Sequence, residues 1–258
     1  LQLYELKQNP AHLSAAKKIA DLAVNYFMGG NRKVVNSGPF SGMASAAVLE
    51  HFVDLYSITK DQTYYRFCEY IINDLDKRPG SEWIKRFSQQ YDAAQIGEGK
   101  MYEMIKCLVG LAKFQMYARK DIYGNVLENA WNEIAAFHLN AAGAPMGGLK
   151  IHPECFNYRY VFSPYMNTET CAMMDWIRFN KAMLRLDTNA KYANIIEHNA
   201  YNALLGAQFP DGFGWQYHSH MNGKRELTSP DACCSSSGAV SLEEVAQEVV
   251  KIEGNQVF

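Results

Sequence analysis

The sequence predicts an all-α protein of stacked helical hairpins, open as a solenoid or closed into a toroid. Three observations predict it: apolar residues recur at helical spacing through most of the chain, strand signals are few, and one type of junction returns three times. An irregular helical domain is the alternative.

The periodicity places helices at 11–28, 41–59, 62–76, 99–118, 122–140, 168–187, 189–207 and 240–252. Val48, Phe52, Leu55 and Tyr56 mark the second; Met101, Ile105, Leu108 and Leu111 mark the fourth. The junctions read Leu55-Tyr56 then Asp61 and Tyr64, Phe114 then Asp121 and Tyr123, and Leu184 then Asn189 and Tyr192. At each, the Asp or Asn can accept from the free amides opening the next helix, while the aromatic packs back into the pair. The junctions recur at intervals of roughly sixty to seventy residues, which suits stacked hairpins.

The 258 residues, 48% hydrophobic and 13% aromatic, suffice for one large domain with an extensive core. A net charge of −2 and the lack of a basic stripe argue against nucleic acid as a partner. No apolar run approaches the roughly 18 to 20 residues a membrane helix needs, so no membrane is expected and the chain reads as soluble. An exported location, periplasmic or secreted with its signal removed, is compatible with this. The six cysteines are too sparse for a disulfide scaffold. Cys68 and Cys107 follow the apolar periodicity and are expected in the core.

Two segments interrupt the helices, and loops on a rigid scaffold carry sites. The first, 141–167, contains His152-Pro153-Glu154-Cys155-Phe156; the second, 209–237, contains Trp215-Gln216-Tyr217-His218-Ser219-His220 and Cys233-Cys234. With Glu169 and Cys171 at a helix start, the cysteine pair makes a set of three thiols and a carboxylate that suits tetrahedral zinc. The helix terminus favours the ionised forms of Glu169 and Cys171. Buried thiols, or a vicinal disulfide at Cys233-Cys234, form the other reading.

Glu154 follows a proline in an aromatic loop, a setting that can raise a carboxyl pKa and keep a general acid protonated. Solvation is the plainer expectation for a lone Glu, and Glu197 is equally open to a surface role. His218 and His220 alternate on a short strand and so share a face, to which Trp215 and Tyr217 are also assigned as sugar-binding aromatics or core fillers.

The order Pro153-Glu154-Cys155-Phe156, Glu169-Thr170-Cys171, Tyr201-Asn202-Ala203-Leu204-Leu205, Trp215-Gln216-Tyr217, Cys233-Cys234 resembles the β-L-arabinofuranosidases of glycoside hydrolase family 127. The resemblance extends to Val48-Leu49-Glu50 and to 100–111. It implies an (α/α)6 toroid followed by β-sandwich domains, and retaining hydrolysis of β-linked L-arabinofuranosides or related furanosides by a cysteine held on Zn2+. By position Cys233 matches the nucleophile, Glu154 the general acid/base, and Glu169, Cys171, Cys233 and Cys234 the zinc ligands. Glu197, Tyr217, His218 and Trp215 are assigned to the carbohydrate substrate.

The chain departs from the pattern at Ser235-Ser236-Ser237, and it lacks the histidine typical of the helix near Lys100. The expectation is therefore one catalytic domain over 1–258, with part of the toroid and the β-sandwich absent. The competing expectation is a non-catalytic helical toroid, binding glycans or a partner domain, whose zinc is structural. Glu154 facing Cys233 across a cleft of sugar size favours the enzyme.

Overall fold

The computed structural model describes residues 1–148, 152–224 and 232–249, together with the backbone of 252–253 and 256–257. The elements in chain order are α1 (Gln2–Lys7), α2 (Pro10–Val24), α3 (Met43–Ala46), α4 (Leu49–Thr59), α5 (Gln62–Asp76), α6 (Trp83–Ser88), α7 (Met101–Ala118) and α8 (Asp121–Phe137). They continue with β1 (Asn167–Glu169), α9 (Thr170–Leu186), α10 (Ala190–His198), α11 (Leu205–Ala207), β2 (His218–His220), α12 (Cys233–Val249), β3 (Ile252–Glu253) and β4 (Gln256–Val257). The all-α prediction holds, and β1 pairs antiparallel with β2.

Three hairpins, α4/α5, α7/α8 and α9/α10, form a two-layered arc. Its inner row runs α4, α7, α9, α12, each helix packed on the next. This is the layering of an (α/α)6 toroid, of which the described helices make part of a ring. The junction tyrosines Tyr64, Tyr123 and Tyr192 are buried as expected. Asp61 and Asn189 do cap, accepting from Thr63 N at 2.8 Å and Lys191 N at 3.1 Å, worth about 1 kcal/mol each. Asp121 does not: it lies inside α8, whose N-cap is Lys120, and Gln115 Oε1 takes the Lys120 amide instead.

Other boundaries shift for local reasons. The predicted 41–59 helix divides because Gly42 takes a left-handed φ of 89° and the chain breaks again before Leu49. The predicted 11–28 helix ends in a wider π-turn at Asn25–Gly29, and 189–207 is interrupted by another at Asn199–Leu204. The largest correction concerns the last helix, which begins at Cys233 rather than 240 and is described to Val249; positions 250 and 251 lie outside the described residues. Its serines favour loops when solvated, but here Ser236 Oγ donates to Cys233 O and Ser241 Oγ to Ser237 O, so the hydroxyls bond within the helix.

Charge joins the inner row. Glu50 of α4 is fully buried and pairs with Lys113 (2.7 Å) and Lys106 (3.4 Å) of α7 and with Arg178 of α9. Burial alone would raise its pKa; the three cations bring it down to about 2.

A candidate thiol–carboxylate site

The thiols converge. Cys171, in the first turn of α9, places Sγ 3.5 Å from Cys233 Sγ and 3.3 Å from Cys234 Sγ, both in the first turn of α12. Cys171 and Cys234 are buried and Cys233 is exposed. All six cysteines are free thiols, with Cys68 and Cys107 buried in the core. Packing of α9 on α12 creates the cluster, and Gly238 of α12 leaves room for the Trp215 indole, since a Cβ there would fall 2.2 Å from it. Ser237 Oγ, not singled out in the sequence, lies 3.2 Å from Cys171 Sγ.

Backbone pairing brings in the carboxylates. Met101 N donates to Glu154 O at 3.0 Å and Phe156 N to Gly99 O at 2.7 Å, which ties the Glu154 loop to the start of α7. Gly147 makes room on the other side, since a Cβ there would sit 1.8 Å from Cys155 O. In the β1–β2 ribbon Glu169 pairs with His218 and Asn167 with His220.

Glu154, Glu169, Cys171, Tyr217 and Cys233 line one cavity of about 450 Å³, within the range of small-molecule sites. Glu154 is buried; its Oε1 is 3.2 Å from His218 Nε2 and its Oε2 is 2.8 Å from Lys100 Nζ. Tyr217 lines the same cavity as Glu154 and Cys233.

The expectation of a protonated Glu154 is overturned. Burial pushes its pKa up, but hydrogen bonds from His218, Lys100 and Tyr217 and the Lys100 charge outweigh that and bring it to about 2. The helix-terminus argument fails in the opposite sense. Burial, helped by neighbouring carboxylates, lifts Glu169 to about 8 against the charge of Lys100. The hydrogen bond to Cys234, together with burial, pushes Cys171 up, and burial does the same to Cys233.

Two assignments fall elsewhere. Trp215 is only 6% exposed and fills a small core with Ala144, Met173, Ile177 and Leu204, because the strand it was assigned to covers only His218–His220. It packs as a core filler and does not line the cavity. Glu197 is exposed on α10 and does not line the cavity.

Lys100 is the residue that sequence reasoning missed as a functional group. It is 3% exposed, and Nζ also lies 2.8 Å from Glu103 Oε2 and 3.5 Å from Glu169 Oε2. The Gly97-Glu98-Gly99 turn before it was the available signal. A second group, Asp92, Glu133 and His138, resembles a ligand set, but Arg159 occupies Glu133 through Nε at 2.8 Å and donates its amide to Asp92. It is a structural clasp on the Glu154-bearing loop.

The three sulfurs fit zinc. Bonds of about 2.3 Å in tetrahedral geometry separate sulfurs by roughly 3.8 Å, close to the spacing found here. Glu169, two residues before Cys171 and in the same cavity, faces Lys100 in this structure and is not among the mutually close donor atoms.

The sequence model of the family described as "Beta-L-arabinofuranosidase, GH127 catalytic domain" matches residues 1–247. No curated protein matches. Among solved structures, the chain is similar to Ara127N-Se, a GH127 beta-L-arabinofuranosidase from Geobacillus stearothermophilus T6, with a TM-score of 0.65, 16% identity and coverage of 82% of this chain and 38% of that one. A structure described as a glycoside hydrolase gives a TM-score of 0.75 at 18% identity over 98% of this chain and 46% of that one. A GH127 beta-arabinofuranosidase gives 0.64 at 20% identity over 81% and 34%. The chain thus spans less than half the length of these structures, and at such identities the likeness shows the fold.

Proposed function

The chain belongs to the GH127 β-L-arabinofuranosidase catalytic-domain family, and on that premise we propose that it carries the site of a retaining glycoside hydrolase acting on β-linked L-arabinofuranosides or related furanosides. The observation that carries this reading is that Glu154 and Cys233 line one cavity together with Glu169 and Cys171, beside the convergence of Cys171, Cys233 and Cys234. Glu154 faces the cavity rather than solvent, and Cys233 alone of the three thiols is exposed, as an attacking group must be.

In this reading Cys171, Cys233, Cys234 and Glu169 would hold zinc. The metal, when bound, supplies the charge that keeps thiols ionised against the burial that pushes them up. Cys233 Sγ attacks the anomeric carbon and the glycosidic C–O bond breaks. The leaving oxygen takes a proton delivered through Glu154, whose Oε1 lies 3.2 Å from His218 Nε2. Water then displaces sulfur, giving its proton to Glu154, and the configuration is retained.

The test is hydrolysis of an aryl β-L-arabinofuranoside by the parent protein and by Cys233→Ser. Turnover with retained configuration by the parent, lost in Cys233→Ser, is the expected result. Turnover at the parent rate by Cys233→Ser excludes this nucleophile.

A further inference from the structure

Lys100 is a cation surrounded by carboxylates, and its backbone is fixed before its side chain does anything. Gly97, Glu98 and Gly99 all take left-handed φ values (53°, 62° and 76°), and a Cβ at Gly99 would stand 3.0 Å from both Cα and O of Ala94. That turn delivers Lys100 to the bridge with Cys155, next to Glu154. The side chain then passes between the Phe40 and Tyr102 rings, with Nζ 5.6 and 5.8 Å from their centroids.

Its ammonium has three protons and meets three carboxylates: Glu103 and Glu154 at 2.8 Å and Glu169 at 3.5 Å. Glu169 and Glu154 come from different segments, one on the ribbon before α9 and one on the loop tied to α7. Three carboxylates this close repel one another in a buried site unless a cation stands among them. No other Lys or Arg is paired with Glu154 or Glu169 among the described residues.

We propose that Lys100 is a positioning residue that holds the Glu154 carboxylate at its place in the cavity it shares with Cys171 and Cys233. It acts through this carboxylate and not on the sugar. The effect on turnover rests on the glycosidase reading above; the effect on side-chain placement does not.

The experiment compares the parent with Lys100→Met, and with Lys100→Met/Glu103→Gln, which removes one stranded carboxylate together with the cation so that charge balance favours folding. Each is assayed on a dinitrophenyl β-L-arabinofuranoside, whose leaving group needs no proton, and on the methyl glycoside, whose leaving group does. General acid catalysis contributes roughly 10²- to 10⁴-fold, so misplacement of Glu154 is expected to lower kcat/KM for the methyl glycoside at least ~10-fold more than for the activated one. Equal losses on both substrates, or no loss, overturn the proposal, since a merely structural role lowers both alike. Crystal structures of the parent and the double variant supply the second readout: departure of Glu154 from His218 is expected, and a Glu154 unmoved from its 3.2 Å contact overturns the proposal. If the parent cleaves neither glycoside, the glycosidase reading fails and this comparison still decides the role of Lys100.

Discussion

The sulfurs of Cys171 and Cys234 stand 3.3 Å apart although 63 positions separate the two residues. Helix packing brings them together: each lies in the first turn of an inner-row helix, and α9 packs on α12. The cluster is therefore as rigid as the α9–α12 interface.

Replacing Cys171 by Ser is expected to abolish zinc binding, because the ion would lose the one sulfur that comes from α9. Metal analysis of purified protein should give one zinc per chain for the parent and well under half of that for the variant. Equal zinc in both would remove Cys171 from the ligand set, and chelation of the parent should likewise end turnover.

Glu154→Gln keeps the shape of the side chain and removes its ability to carry a proton. Hydrolysis of unactivated furanosides should fall by about 10²- to 10⁴-fold, while zinc content stays unchanged. A fall of less than about tenfold would argue against an acid/base role.

Trp215→Ala is expected to act on stability. The indole fills the space left by Gly238, so truncation opens a cavity at the α9–α12 interface and should cost about 3–5 kcal/mol. Chemical denaturation measures it. A near-neutral change in stability with a raised KM would instead return Trp215 to the substrate.

His138 makes stability depend on pH. Burial would lower its pKa, but Asp92 and Glu133 outweigh burial and raise it above the usual ~6.5. The folded state thus binds the proton more tightly than the unfolded chain does. The stabilisation is complete below about pH 6.5 and fades as pH rises through the higher folded value. Thermal melts of the parent and His138→Gln should differ most near pH 5.5 and converge towards alkaline pH; a gap that widens with pH contradicts this.

The helical layering was legible because burial imposes a period of 3.6 on residues such as Met101, Ile105 and Leu108. Cap chemistry was legible at Asp61 and Asn189 and misleading at Asp121, where a neighbouring glutamine made the competing bond. The cysteines and glutamates were legible through the order of motifs that carries the family resemblance, not from their spacing alone. Their ionisation was misjudged because it depends on partners from remote segments: Lys100 and His218 reach Glu154 from 54 positions before it and 64 after it. Trp215 failed for a related reason, since only the folded α12 shows that Gly238 vacates the space the indole takes.

The β1–β2 ribbon is just three residues long on each side, yet directly opposed residues in such a pair share a face. Glu169 and His218 are opposed. Sliding β2 by one position would turn His218 away from Glu154 while leaving the thiols of α9 and α12 in place, so a single inserted residue between 170 and 217 that reached β2 would break the His218–Glu154 contact without touching the cysteine cluster. Loop-length variation in this stretch is accordingly constrained by alignment of two side chains, not by the space available for the loop.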